Sequence, residues 1–385
     1  MQFRTRAIHV GQERDPETGA VVPPIYLATT FVQPGAGKWG EYDYSRSGNP
    51  TRACLEETVA SLEGCGDGGA LAFSSGMAAT ACAIASLKAG DHVLAGNDLY
   101  GGTYRLLHKV ANRAGVTVTM ADATDLGTFE RSFEAKTRLV WVESPGNPKM
   151  SIVDLAAVAE LAHAKGAIAA CDNTFATPVL SRPLEQGMDI VMHSATKYYG
   201  GHSDVMGGLL AIRGKELFDD LKFVQNATGG IMGPLEAFLC SRGVKTMELR
   251  VREQCRTAQT LAEWLDAQDA VTQVNYPGLP NHPGHDIAKR QMDGGFGGMI
   301  SFELAGGFDA AKRFVEATEL FQLAVSLGAV ESLIEQPASM SHASYDPADR
   351  EKHGITDGMI RLSVGLEAVE DLRGDLQKGL DAALA

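Results

Sequence analysis

The chain predicts an α/β fold: a large domain on a mostly parallel sheet, followed by a smaller α+β C-terminal domain. Three observations predict it. Seven short apolar runs, beginning near residues 70, 91, 116, 138, 167, 189 and 207, alternate with helical segments, as parallel strands joined by crossover helices require. A long amphipathic run at 245–268, KTMELRVREQCRTAQTLAEWLDAQ, then has the length to link two domains. Beyond it, VTQVNYPG, MISFELAG, LAVSLG and MIRLSVG surround one helix at 309–319.

Residues 1–50 read as an extended arm, because VVPPIYLATTF pairs two prolines with β-branched residues and EYDYSRSGNPT is polar and turn-forming. Such an arm needs a surface to lie against. Residues 51–245 form the large domain and 246–385 the smaller one. MAATACAIASLKAG and IVDLAAVAELAHAKG are helices of the large domain, each expected to end on its glycine. No internal repeat is visible.

Composition narrows the class of function. The 385 residues are 44% hydrophobic and 21% charged, which excludes a disordered, collagen-like or coiled-coil chain. A formal charge of −14 repels nucleic acid and anionic lipid, so neither is an expected partner. Gly68 to Leu87 is uncharged, but Ser74, Ser75 and Gly76 break it, and it reads as strand, turn and buried helix rather than a membrane span. The N-terminus lacks an apolar signal segment, and six cysteines with no C-x-x-C pair read as reduced thiols, so the expected compartment is the cytoplasm.

Dinucleotide, P-loop and zincin motifs are missing. His282 and His285, in LPNHPGHD, read as solvated loop imidazoles. His193, His202 and Asp204 are set aside as metal ligands because Lys197 falls between them, and no metal is expected.

Lys197 carries the most information. In DIVMHSATKYYGGHSD an apolar strand runs into a lysine and then into glycines that let backbone approach a ligand. Desolvation at a strand end lowers an amine's pKa and makes it a nucleophile toward an aldehyde; the plainer reading is a surface lysine opening a loop. Asp172 ends GAIAACD 25 residues earlier, one crossover helix away, where it would hold a pyridine nitrogen protonated or simply make a turn. Ser75, Gly76 and Met77 open a helix, a ready site for phosphate that the hydroxyls of Ser194 and Thr196 would join. Tyr100, before Gly101 and Gly102, suits stacking on a planar ring, or is a half-buried loop tyrosine.

With AVVPPIYLATTF, YSRSGNPTR, AFSSGMAA, LYGGTYRL, ESPGNP, CDNTFATP, HSATKYYGGHSD, LAVSLGAVESLIEQPASMSHAS and IRLSVGLE in one order, the chain resembles the Cys/Met-metabolism family of pyridoxal-phosphate enzymes, fold type I. The resemblance implies pyridoxal 5'-phosphate as cofactor, with Lys197 bonded to it, Asp172 on its pyridine nitrogen and Tyr100 stacked on its ring. It implies Gly76, Met77, Ser194 and Thr196 at the phosphate, joined by Tyr44 and Arg46 from a neighbouring subunit, and Asn147 near the ring hydroxyl. Arg361 would grip the substrate α-carboxylate; otherwise it is an ordinary exposed arginine in an edge strand. The family's homotetramer gives the arm its surface.

Within the family the expected reaction is that of a cystathionine γ-lyase, with cystathionine γ-synthase as the alternative. Gly102, where methionine γ-lyases usually carry cysteine, makes that activity less expected. Asp43 or Glu331 would meet the distal ammonium of cystathionine and Arg46 or Arg105 its carboxylate. A catalytically silent homologue is the remote alternative, since a fold alone does not confer activity.

Overall fold

A computed structural model describes residues 1–343, 350 and 354–385. All seven apolar runs of the large domain are strands: β1 (Gly69–Phe73), β2 (His92–Gly96), β3 (Thr117–Ala121), β4 (Thr137–Glu143), β5 (Ile168–Asp172), β6 (Ile190–Ser194) and β7 (Gly208–Ile212). They form one sheet in the order β1-β7-β6-β5-β4-β2-β3. Only β7 runs against its neighbours, so β1, β2, β4, β5 and β6 all end on the same edge.

Both faces of this sheet are covered. In β7, Leu209 and Ala211 pack on the side of the helix Pro50–Glu63, against Leu55, Val59 and Leu62. Leu210 and Ile212 pack on the other side with Ala79, Ala83 and Ile84 of the helix Gly76–Ala85. Each fully buried Leu or Ile of this kind contributes roughly 1.5–3 kcal/mol.

Helix starts follow their caps. Asn49 Oδ1 accepts from the amides of Thr51 and Arg52, with Pro50 as the first helical residue, which explains SGNPTR. One helix end differs from expectation. Gly76–Ala85 stops before Gly90, because Ser86 turns its hydroxyl onto the Ala83 carbonyl and Leu87 bonds Ile84, tightening the last turn. Leu155–Ala164 does end on its glycine as expected: Gly166 follows the cap residue Lys165 with positive φ, and the Gly166 and Ala167 amides bond the His163 and Ala162 carbonyls.

The smaller sheet has the order β10-β11-β12-β9-β8, from β8 (Val271–Asn275), β9 (Met299–Leu304), β10 (Gln322–Leu323), β11 (Leu333–Glu335) and β12 (Met359–Ser363). β12 lies between two strands, so Arg361 is 4% exposed rather than an edge-strand surface residue. β11 was not expected: its three residues are too few for a periodic signal. LAVSLG yields strand only at its start. The helix Met247–Asp266 joins the two cores, with Val251 and Cys255 in one and Ala258, Leu261 and Leu265 in the other.

The arm is not wholly extended. It holds a helix, Phe3–His9, whose Ala7 is buried in the first core. Further on it folds back, with the Phe31 amide on Asp43 and the Ser45 amide on Thr29. Val21, Val32 and Trp39 remain 83%, 98% and 75% exposed, apolar surface with nothing of this chain to cover it. The LPNHPGHD imidazoles are not both solvated: His282 is buried and accepts from the Gly284 amide, while His285 is half-buried and bonds the Pro277 carbonyl, so both shape the turn. All six cysteines are free thiols. Among the described residues, no helix is long and apolar enough to cross a membrane.

Candidate active site

The shared strand edge opens onto a cavity of about 520 Å³. Lys197 follows β6 in a tight turn: its amide bonds Ser194, and the Gly201 amide bonds its carbonyl. Gly201 has φ +71° and lies against the Arg250 guanidinium, where no side chain fits. The turn delivers Lys197 into the cavity, where Nζ donates to Ser326 Oγ at 2.8 Å. Burial, with the nearby Arg361 guanidinium, pulls the Lys197 amine down to about 8. It is not a surface lysine.

Asp172 ends β5 and is buried in the same cavity. Its Oδ1 accepts from the Thr174 amide at 3.0 Å and hydroxyl at 2.5 Å. The turn reading and the site reading of Asp172 therefore both hold. Burial pushes its carboxyl up, and no lysine or arginine among the described residues pairs with it. A buried carboxylate so placed calls for a cation supplied from outside the chain.

Ser75, Gly76 and Met77 line one end of the cavity with Ser194 and Thr196. Ser75 caps its helix through Ala78, and a Cβ on Gly76 would lie 3.1 Å from that of Ser194, so the helix start and the Lys197 turn abut. Tyr100 stands beside Met77 with its ring partly exposed. A Cβ on Gly102 would fall 2.4 Å from the Tyr100 ring and 2.8 Å from Met77 Sδ, so only glycine allows that packing.

Arg361 also lines the cavity, but already engaged: Nη1 meets Glu335 Oε1 at 3.0 Å and Asn147 Oδ1 at 2.8 Å, and Nη2 donates to the Ser326 carbonyl at 3.1 Å. Its Nε is buried without a partner. Asn147 thus enters the site as a ligand of the guanidinium. Arg105 lines the cavity as well.

Four expected residues do not line it. Asp43, Tyr44 and Arg46 lie on the arm, where Asp43 Oδ1 accepts from the Tyr44 amide and Arg46 donates to the Asn226 carbonyl. Glu331 accepts from Ser203 instead. Ser344, at the end of the motif that begins at Leu323, lies outside the described residues. Of the ligand set dismissed from the sequence, His193 bonds Glu63 at 2.5 Å and His202 the Gly200 carbonyl.

Sequence reasoning missed Ser326, Glu335, Thr174 and Glu143. Ser326 has φ +135°, rare for a residue with a side chain, and its hydroxyl and carbonyl hold Lys197 and Arg361. No periodic signal marks it. Glu143 was within reach, since it opens ESPGNP at a strand end as Asp172 does.

A mostly parallel sheet with a buried amine, a carboxylate lacking its cation and a hydroxyl-lined helix start at one edge defines a pyridoxal-phosphate enzyme of fold type I. The Cys/Met metabolism PLP-dependent enzyme model matches residues 4–381, and the chain belongs to that family. It is 52% identical to a cystathionine beta-lyase of Coxiella burnetii, with 98% of this chain and 97% of that one aligned. It is 49% identical to a cystathionine gamma-synthase of Mycobacterium tuberculosis, covering 98% and 96%. The crystal structure of cystathionine gamma-lyase from Lactobacillus plantarum complexed with L-serine superposes with a TM-score of 0.97 at 45% identity, over 100% of both chains. The protein is a PLP-dependent enzyme of cystathionine metabolism.

Proposed function

We propose that the chain is a cystathionine γ-lyase, releasing cysteine, 2-oxobutyrate and ammonia from cystathionine and water. One observation carries the reading: Ser326 holds the Lys197 amine and the Arg361 guanidinium together on one wall of the cavity. A substrate whose carboxylate meets Arg361 then presents its α and β carbons to a single base.

Bound pyridoxal phosphate supplies the aldehyde to which amines bond and the ring that takes up electrons from the α carbon. Asp172 would face its pyridine nitrogen, whose protonated form would be the cation this carboxylate lacks. The helix start at Gly76 and Met77, with Ser194 and Thr196, would hold its phosphate, and Tyr100 would cover its ring. The partnerless Nε of Arg361 would add the substrate carboxylate to the contacts already made by Asn147 and Glu335. Lys197, its amine lowered to about 8 so that a fraction is unprotonated near neutral pH, would remove the α proton, then a β proton, and return one as the γ sulfur departs. Tyr44, Arg46 and Asp43 would reach a neighbouring subunit's site in a homotetramer.

A γ-synthase is the second reading, and Arg105 favours it. Glu331 lies outside the cavity, so a distal ammonium would depend on Asp43 from another subunit, whereas an anionic acyl group on homoserine needs only Arg105. Product analysis decides between them. Cystathionine alone should give 2-oxobutyrate and cysteine. Homocysteine and pyruvate would instead mark β-cleavage, and turnover only of acylated homoserine with cysteine would mark the synthase.

A further inference from the structure

We propose that Glu143 is a positioning residue: as a neutral carboxylic acid it holds the backbone amide of Tyr100, while its strand neighbour Asp172 carries the negative charge. The inference rests on the reading above, in which Asp172 faces the cofactor. Glu143 and Asp172 end adjacent parallel strands in register, about 4.8 Å apart across the sheet. Both are 5% exposed and line one cavity. Two carboxylates so placed do not both ionise at neutral pH.

Hydrogen bonding decides which one keeps the proton. Asp172 receives two donors, the amide and hydroxyl of Thr174. Glu143 receives one, the Tyr100 amide at 2.8 Å on Oε2. The better-solvated anion is Asp172. The other charged groups facing Glu143 are Asp98, from the loop after β2, and Arg361 on β12, which Glu335 already holds. Burial and then Asp172 push the Glu143 carboxyl well above its usual range.

The proton also has a place to point. Behind Glu143 lies a second cavity of about 10 Å³, which it lines together with Asp98 and Ser151. That is the space of about one water. Asp98 Oδ1 is buried there without a partner, so a water donating to Asp98 and accepting from Glu143 would satisfy both acids. The Tyr100 corner is then held by a donor–acceptor contact that does not change with pH while Asp172 responds to the cofactor.

The test is infrared difference spectroscopy on the holoenzyme, with the pH profile of kcat/KM. The band of a protonated carboxyl should be lost in Glu143→Gln and kept in Asp98→Asn. Glu143→Gln, which keeps an acceptor but cannot ionise, should leave the acid limb of the profile at its wild-type position. Glu143→Leu, which strands the Tyr100 amide, should raise KM by roughly tenfold. A band that survives in Glu143→Gln or vanishes in Asp98→Asn overturns the assignment, as does a displaced acid limb in Glu143→Gln. A KM for Glu143→Leu equal to that of Glu143→Gln overturns the positioning role. A wild-type protein with no visible cofactor band would defeat the functional reading instead, and the infrared comparison on cofactor-free protein would still decide Glu143.

Discussion

Arg361 and Glu335 are direct cross-strand partners on β12 and β11, and their side chains close a 3.0 Å ion pair with 4% and 1% exposure. The pair fixes the guanidinium in the cavity wall, with Nε buried and without a partner. Removing one member strands a buried charge, which costs about 3–5 kcal/mol. Glu335→Ala should therefore lower unfolding stability by about that amount, read from denaturant titration. Arg361→Lys should raise KM for every amino-acid substrate, because a point charge cannot serve Glu335, Asn147, Ser326 and a carboxylate at once. Equal stability of Glu335→Ala and wild type would show that the pair is not held in solution.

The Lys197 amine titrates near 8 in the folded chain, against an ordinary value of 10.5. Between those values the unfolded state binds more protons, so stability rises with pH through that window, and the penalty of charging the buried amine is fully present below it. The cofactor-free protein should thus gain stability from about pH 8 upward, and Lys197→Met should lose this component. Parallel pH profiles for both proteins would contradict the lowered value.

Gly102→Ala should displace the Tyr100 ring, since the new methyl would sit 2.4 Å from the ring and 2.8 Å from Met77 Sδ. Weaker cofactor binding with an unchanged fold is the expected result, measured by titrating the visible absorption band and by circular dichroism. Wild-type affinity would mean that the ring does not cover the cofactor.

Deleting residues 1–48 should weaken cofactor binding and abolish the proposed homotetramer together, because the arm carries Tyr44, Arg46 and exposed Val21, Val32 and Trp39. Sedimentation and cofactor titration of the truncated chain provide the check. A truncated protein that keeps both properties would show that each site is complete within one chain.

The large domain was legible because its strands, the edge strand β3 apart, are buried on both faces and read as continuous apolar runs, and because Lys197, Asp172, Tyr100 and Gly76 all sit at strand ends, where local pattern marks position. The smaller sheet was read less well: β11 and β10 are short, and their place depends on pairing with distant partners.

Local chemistry in the chain specified the buried amine, the helix start proposed for phosphate and the turn that carries Asp172, since each is made by residues close together in sequence. The state of those groups came from contacts between distant segments. Arg361 reads as an exposed cation until β11 and β9 enclose it, Ser326 as an ordinary serine until its backbone bends between Lys197 and Arg361, and Glu143 as a charged residue until β5 sets Asp172 beside it. Burial and pairing set protonation and reach, and both are sums over neighbours that the linear order of residues does not bring together.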